Sequence, residues 1–335
     1  MAVHVRDHAY RPAELIRAAA VARRYYIDGA SKIEIAEEFG ISRFKVARVL
    51  DEARAAGLVR IDISVPAALD AELSDRLRTA YGLREALVVE CAEESEEAIR
   101  GHLGLLAADY LAEVVEEGDV IGLAWSRTLN AMTPALTDLP KVTVVQLTGV
   151  LPGTVEQSSV ELVRRVASIA RGRAYPIYAP LVVSDAASAR GLRKQPQVAD
   201  AMSRYRDLTK AIVAIGSWDP PASLVRNSLT TAEAAALRAR GVSAEVCALL
   251  LNADGEPVCD LADRVIAITA EQLRKVPDVI AVAGGPNKAK AVRAALRSGL
   301  VSALVTDAGV ARALLDEVEP TDEARAVSAA KEETG

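Results

Sequence analysis

Residues 31–60 read SKIEIAEEFGISRFKVARVLDEARAAGLVR, a pattern typical of two short helices joined by a tight turn and followed by a strand. Ser31 and Glu34 have the spacing of a capping box, which predicts that the first helix begins between them. Gly40 can adopt the left-handed conformation that ends this helix, and Ser42 can cap the next one. The segment therefore predicts a helix-turn-helix.

Each predicted helix has one apolar face that follows the helical period, so we expect these faces to form a small core. The faces comprise Ile33, Ile35, Ala36 and Phe39 in the first helix, and Val46, Val49, Leu50 and Ala53 in the second. A preceding helix at residues 13–28 is expected to pack on them through Leu15, Ile16, Ala19, Val21, Ala22 and Tyr26. The alternating stretch LVRIDISV after Gly57 is interpreted as a wing strand.

The other face of the second helix is polar and basic. The positive charge of Lys45 in the first turn is unfavourable next to the positive end of the helix dipole. A phosphate or a guanine edge opposite Lys45 would offset this cost. In a helix-turn-helix, the second helix presents its N-terminal side chains to the major groove of DNA. The predicted DNA contacts are Ser31, Ser42, Arg43, Phe44, Lys45 and Arg48. The alternative is a solvated charged face on an ordinary helical hairpin.

Charge is unevenly distributed along the 335 residues. The formal net charge is −6, which argues against a protein that wraps nucleic acid over its whole surface. Residues 1–65, however, hold 11 Lys and Arg against 9 Asp and Glu, whereas the remainder holds 29 against 37. The positive character therefore belongs to the segment that is predicted to contact DNA.

Cysteine usage and hydropathy exclude several classes of protein. Cys91, Cys247 and Cys259 are too widely spaced for a disulfide framework or a metal site, so we expect reduced thiols, no metal and no cofactor. The first 12 residues carry charges and lack the apolar core of a signal peptide. Apolar runs stay well below the ~20 residues of a membrane span. We therefore expect a cytoplasmic protein without membrane contacts.

The sequence from residue 86 onward alternates short apolar runs with helical patterns, which predicts an α/β fold with a doubly wound, largely parallel sheet. The runs are ALVVE, VIGLAW, VTVVQL, YAPLVV, AIVAIGS, VCALLL, RVIAI, VIAVAGG and SALVTD. We expect an amphipathic helix at residues 68–83 that links the two halves and can pair with its copy in a second subunit. The predicted domains are 1–66 (DNA binding), 67–85 (linker helix), 86–316 (effector binding) and 317–335 (acidic flexible tail).

Ligands of such sheets bind beyond the carboxyl ends of the strands, so the residues that follow each run are candidates for a site. They are polar and rich in glycine: Ser126, Arg127, Thr128, Thr148, Gly149, Gly216, Ser217, Trp218, residues 284–288, Thr306 and Asp307. Gly284 and Gly285 lead into a helix whose first turn carries Lys288, an arrangement that suits a phosphate or a sugar hydroxyl. The alternative is a tight strand–helix turn with a solvated lysine.

Trp125 and Trp218 follow predicted strands, where an indole either stacks on a sugar or fills a structural gap. The G-x-S-x-G and H-E-x-x-H motifs are absent, and His102 is the only histidine outside the N-terminal arm. The sequence therefore gives little support for catalysis.

Over nearly its whole length, the chain resembles the SorC family of bacterial transcription regulators. The resemblance rests on YYIDGASKIEIAEEFGISRFKVARVLDEARAAGLVRIDI, GDVIGLAWSRTL, VTVVQLTG, APLVV, IVAIGS, VIAVAGGPNKAKAVRAALRSGLVSALVTD and ARALL, which occur in the family's order. It implies a winged helix-turn-helix and an effector domain related to sugar-phosphate isomerases and deaminases. It further implies operator DNA and a sugar or sugar phosphate as partners, and assembly as a homodimer or homotetramer.

The chain departs from the family pattern at three positions. Ser126 and Ala244 stand where glycine is usual, and Glu245 stands where aspartate is usual. A methyl group and a longer carboxylate are expected to narrow that side of the pocket or to change the preferred ligand. The predicted effector residues are Gly122, Trp125, Ser126, Arg127, Thr128, Gln146, Thr148, Gly149, Glu245, Gly284, Gly285, Lys288 and Asp307.

The sequence thus predicts a regulator of carbohydrate metabolism, without catalytic residues, whose operator affinity depends on a bound sugar or sugar phosphate. One alternative is a sugar-phosphate isomerase or deaminase with an accessory DNA-binding head. Another is a sugar-sensing module whose helical hairpin binds protein.

Overall fold

The computed structural model describes residues 12–59, 69–91, 95–151 and 158–316. The chain divides into two compact units, Met1–Ser64 and Val65–Gly335. Most of the predicted wing strand and N-terminal arm, the start of the predicted linker and the predicted tail lie outside the described residues. The finer domain boundaries stay predictions.

The described part of the first unit is helical. It consists of α1 (Pro12–Tyr26), α2 (Lys32–Phe39) and α3 (Arg43–Ala55). Both hydrogen bonds of the capping box between Ser31 and Glu34 are present, which confirms the predicted start of α2. Gly40 ends that helix at a φ of 61°. Ile35, Val46 and Leu50 pack with α1 in the core of this unit.

Five of the predicted core residues of this unit are exposed instead. Ile33 is 58% exposed, because residues two apart on a helix point about 200° apart and Ile35 occupies the inner face. On α1, the exposed residues are Leu15, Ile16, Ala19 and Tyr26, whereas Ala18, Val21 and Ala22 are buried. Among the described residues of this unit, α2 and α3 cover only one side of α1.

Replacing Ser42 with alanine is expected to loosen the first turn of α3 by about 1 kcal/mol, because its Oγ accepts the N–H of Lys45 at 3.2 Å. Amide hydrogen exchange at Lys45 measures that loss. As a control, Ser42→Asp keeps a capping oxygen and should preserve the protection. Unchanged exchange in Ser42→Ala would contradict the capping role.

The second unit is an α/β structure. Its strands are β1 (Glu85–Val89), β2 (Val120–Leu123), β3 (Thr143–Gln146), β4 (Arg173–Tyr175), β5 (Lys210–Ser217), β6 (Val242–Val246), β7 (Leu249–Asn252), β8 (Pro257–Val258), β9 (Asp278–Val282) and β10 (Ala303–Asp307). Its helices are α4 (Ala71–Tyr81), α5 (Glu96–Val114), α6 (Arg127–Met132), α7 (Ser159–Ile169), α8 (Ala186–Arg193), α9 (Pro196–Ser203), α10 (Leu224–Asn227), α11 (Thr231–Ala239), α12 (Ala270–Arg274), α13 (Ala289–Arg297) and α14 (Ala308–Leu315).

The main sheet has the strand order β1-β10-β9-β5-β2-β3-β4, and all of these neighbours are parallel. Strands β6, β7 and β8 extend it by antiparallel pairing on β5. The order confirms the predicted largely parallel, doubly wound fold. The chain reverses direction across the sheet between β2 and β5, which is where open α/β sheets place their ligands.

Three of the predicted runs do not form single strands. YAPLVV and RVIAI are extended segments joined by isolated bridges, such as that between Val182 and Val265, because buried apolar composition alone does not specify a continuous ladder. VCALLL instead spans a hairpin turn, where Cys247 and Ala248 have φ values of 50° and 63°.

The predicted linker helix corresponds to α4 and packs within the second unit. Leu73 and Leu77 are buried in the main core, and α4 contacts β1 and α14. The hydroxyl of Tyr81 donates to the carbonyl of Leu314 at 3.2 Å. The apolar face that was expected to pair with a second copy is therefore occupied within the unit.

Candidate functional site

The first candidate site is the exposed face of α3. Arg43, Phe44, Lys45 and Arg48 are all exposed, and Ser42 caps the helix that carries them. The guanidinium of Arg48 lies 3.7 Å from Glu52, one turn away on the solvent side. All predicted DNA contacts except Ser31 therefore lie in the first two turns of one helix or at its cap, where Arg43 contacts the Phe44 ring.

Ser31 has a local role in the same unit. Its Oγ accepts the N–H of Glu34, and its own N–H donates to the Glu34 carboxylate at 2.8 Å. The Glu34 carboxyl has a lowered pKa because it accepts these bonds from Ser31. This serine shapes the entry of α2, and it stays a proposed DNA contact.

The second candidate site is a cavity of about 570 Å³ in the second unit, a size that suits a small ligand. It lies at the carboxyl ends of β2 and β5, between the loops that follow β2, β3, β5 and β9. The predicted effector residues that line it are Trp125, Ser126, Arg127, Thr128, Thr148, Gly149, Glu245, Gly284, Gly285 and Lys288. Loops that are distant in sequence thus converge on one space.

The loop after β2 contributes a cation and an indole to the lining of the cavity. Ser126 caps α6 by accepting the N–H of Leu129 at 3.0 Å, which places Arg127 at the first helical position. Arg127 is exposed and forms no ion pair with another described residue. The indole Nε1 of Trp125 is buried without a hydrogen-bond partner in the described residues. Both residues line the cavity, and both carry N–H donors without a charged or hydrogen-bonded partner in the described residues.

Trp218 fills a structural gap, which is one of the two roles that the sequence allowed for it. It is 1% exposed, packs in a second apolar cluster with Leu181 and Leu250, and donates its indole N–H to the carbonyl of Ala234 at 3.4 Å. Of the two tryptophans, only Trp125 lines the cavity.

The opposite wall of the cavity carries a carboxylate and an ammonium. Glu245 lies across from Gly216 in the β5–β6 pair, and a Cβ on Gly216 would stand 2.5 Å from the carboxylate. The Glu245 Oε2 accepts the N–H of Ala248 at 3.1 Å. The Lys288 ammonium donates to the carbonyl oxygens of Ile215 at 2.9 Å and Ala222 at 3.4 Å.

Burial works against the charge on both of these groups. It raises the pKa of the Glu245 carboxyl, while the Ala248 N–H and the charge of Lys288 oppose the rise. It lowers the pKa of the Lys288 ammonium, and Glu245 opposes that shift while Arg127 adds to it. A ligand that donates to Glu245 and accepts from Lys288 would satisfy both groups.

The predicted anion cradle at residues 284–288 needs a correction. The N–H of Gly285 is not free, because it donates to Asp307 Oδ2 at 2.7 Å. Glycine is required at position 285 because its φ is 101°. A Cβ on Gly284 would stand 2.4 Å from the same Asp307 oxygen. The turn brings Lys288 to the cavity, whereas the Gly285 amide is engaged inside the fold.

Three predicted effector residues do not line the cavity. Asp307 is 5% exposed and accepts the N–H groups of Gly285 and Val310, so its oxygens are engaged inside the fold. Gln146 is fully buried and bonds the carbonyl of Thr148, Ser159 and the N–H of Ile177. Gly122 lies within β2, where a Cβ would stand 2.6 Å from the Leu147 side chain. These three residues make contacts inside the fold and do not line the cavity.

The sequence missed other residues of the cavity. Glu96 and Arg100, at the start of α5, line it and lie 3.8 Å apart. Ser217 is one of the polar residues at strand ends, but it was not among the predicted effector residues. Its side chain is 1% exposed, and its Oγ has no partner in the described residues. Nothing in the pattern of α5 signals its approach to loops that lie elsewhere in the chain.

A search of the described residues finds no group of three or more His, Cys, Asp or Glu side chains that could hold a metal ion. It also finds no helix that is long and apolar enough to cross a membrane.

Comparison with known proteins finds a matching family for the second unit and relatives that cover most of the chain. Residues 65–316 match the Sugar-bind family, which is described as a sugar-binding domain. The uncharacterized transcriptional regulator YjhU of Escherichia coli (strain K12) is 32% identical, over 87% of this chain and 92% of the relative. The deoxyribonucleoside regulator of Bacillus subtilis (strain 168) is 29% identical, over 89% and 96%.

A solved structure shares the fold of both units. The full-length sorbitol operon regulator SorC from Klebsiella pneumoniae superposes with a TM-score of 0.70 at 24% identity, covering 90% of this chain and 99% of that chain.

Proposed function

The chain belongs to the SorC family of transcriptional regulators with a sugar-binding domain, and on that premise we propose how its two sites work together. The first unit binds operator DNA through the N-terminal end of α3. The second unit binds a sugar or phosphorylated sugar in the cavity, and this ligand changes the affinity for the operator. The named relatives are regulators, which agrees with the prediction that the chain is not an enzyme.

The observation that carries the effector proposal is that residues with unsatisfied or unpaired polar groups line one cavity. The Ser217 hydroxyl and the Trp125 indole N–H are buried without partners in the described residues, and Arg127 lacks an ion pair there. Buried polar groups without partners are costly, so these groups favour a hydroxylated ligand. The name of the deoxyribonucleoside regulator agrees with a ligand that contains a sugar.

The ligand acts by binding one arrangement of the protein better than another. A change of operator affinity requires such differential binding, and the coupling between two sites is typically about 1–3 kcal/mol. A homodimer or homotetramer would present two or more copies of α3 to repeated half-sites, so that the ligand alters the fit between protein and operator.

A thermal-shift screen of the full chain against sugars, sugar alcohols and their phosphates tests this proposal. A ligand at about 100 times its dissociation constant should add about 2.7 kcal/mol to the free energy of unfolding. A phosphorylated hit would support an anion beside Arg127 and Lys288, whereas an unphosphorylated hit would favour recognition of hydroxyls. No stabilisation by any compound would contradict the effector role. Salt-independent DNA binding, or none, would contradict the role of α3.

Replacing Arg48 with alanine is expected to remove about 1–3 kcal/mol of discrimination at one guanine of the operator, because a bidentate arginine contact reads that base. Binding to unrelated DNA should change much less. Competition titrations with single-base operator variants measure the difference. Arg54→Ala, in the last turn of α3, serves as the control. An equal loss on all sequences would make Arg48 a phosphate contact only.

A further inference from the structure

Phe44 is an aromatic side chain held in solvent on the helix that is proposed to bind DNA. It is the second residue of α3 and is 73% exposed. The chain has only two phenylalanines, and the other one, Phe39, packs against the core of its unit. An exposed ring forgoes the burial that stabilises aromatic residues in cores. The position therefore points to a partner that covers the ring when bound.

The neighbours of the ring indicate the chemistry of that partner. Arg43, Lys45 and Arg48 are exposed around Phe44 on the first two turns of α3. Phe44 and Arg48 are four residues apart and lie on the same face of the helix. Cations pair with phosphates and with guanine edges, so a face of this kind suits DNA better than an apolar protein surface.

Arg43 holds the ring in place. Its guanidinium carbon lies 4.8 Å from the centroid of the Phe44 ring, a cation–π contact. Arg43 forms no ion pair with another described residue, so its N–H groups stay available for a phosphate. A ring that is already oriented loses less conformational entropy when it is buried in a complex.

We propose that Phe44 reads a thymine by contact with its 5-methyl group, an inference that rests on the proposed binding of DNA. This methyl is the apolar group that base pairs present in the major groove, and phenylalanine is among the side chains that contact it. Four residues of helix rise about 6 Å, and base pairs stack about 3.4 Å apart. The thymine therefore lies within about two base pairs of the guanine that Arg48 contacts.

The test compares thymine with uracil, which differs from it only by the methyl group. The full chain first selects a duplex from a random-sequence library, and each thymine of that duplex is then replaced singly by deoxyuridine. At one thymine in each half-site, the native protein should bind the uracil duplex about fourfold more weakly at constant salt. Phe44→Ala should bind both duplexes equally. Ile33→Ala, which removes an exposed apolar side chain from α2, should keep the fourfold ratio.

Three outcomes would overturn the inference. The first is a selected duplex at which no uracil replacement weakens native binding, which leaves the proposed DNA binding intact. The second is a Phe44→Ala variant that keeps the native thymine-to-uracil ratio, whatever its overall affinity, or that changes the oligomeric state, as a protein contact would. The third is failure to select any duplex, which would overturn the proposed function as well.

Discussion

Replacing Lys288 with methionine is expected to weaken effector binding by about 1.5–3 kcal/mol, or roughly 10- to 150-fold. At concentrations that saturate the native protein, the ligand should then no longer change the affinity for DNA. Methionine retains an apolar stem of similar length, so the substitution removes the ammonium while leaving most of the packing.

The contacts of Lys288 explain why the effect should be large. An ammonium has three N–H donors, and the carbonyls of Ile215 and Ala222 take two of them, which leaves one for the ligand. Loss of the charge also removes one of the groups that oppose the rise in the pKa of the buried Glu245 carboxyl, while the Ala248 N–H remains. The pKa of the Glu245 carboxyl should therefore rise further in the variant.

Lys290→Met is the matched control, because it removes the same charge from an exposed position two residues along the chain at the start of α13. Calorimetric titration with the strongest compound from the thermal-shift screen measures ligand binding, and anisotropy of labelled DNA measures its influence on DNA binding. A Lys288→Met protein that retains native ligand affinity would remove this residue from the site. Native DNA affinity without ligand is expected in both variants.

The local features of the fold could be predicted because they depend on neighbours in sequence. The capping box at Ser31, the left-handed Gly40 and the cap at Ser42 all follow from side-chain chemistry within a few residues. The convergence of strand-end loops also follows, because parallel strands carry their carboxyl ends to the same edge. That rule correctly grouped the loops that carry Trp125 and Lys288.

Features that depend on tertiary contact could not be predicted in the same way. The hairpin turn at Cys247 and Ala248 lacks the glycine or asparagine that usually marks positive φ values, so the run appeared as one strand. The approach of Arg100 to the cavity depends on how α5 packs, which periodicity does not specify. Asp307 has the residue type and strand-end position of a ligand contact, yet neighbouring backbone amides occupy its oxygens.

Replacing Asp307 with alanine is therefore expected to destabilise the second unit by about 2–6 kcal/mol rather than to affect the ligand alone. The variant leaves the N–H groups of Gly285 and Val310 buried without an acceptor, at about 1–3 kcal/mol each. Asp307→Asn should show an intermediate loss, because the amide has one acceptor oxygen where the carboxylate has two.

Urea unfolding of the native protein and the two variants measures this loss, with Asp316→Ala at the exposed end of α14 as the control. Because Asp307 fixes the turn that leads to Lys288, ligand binding should weaken in proportion to the loss of stability, and Asp307→Asn should retain more of both. Native stability combined with complete loss of ligand binding would reverse the assignment. Asp307 would then contact the ligand directly, as its position in the sequence first suggested.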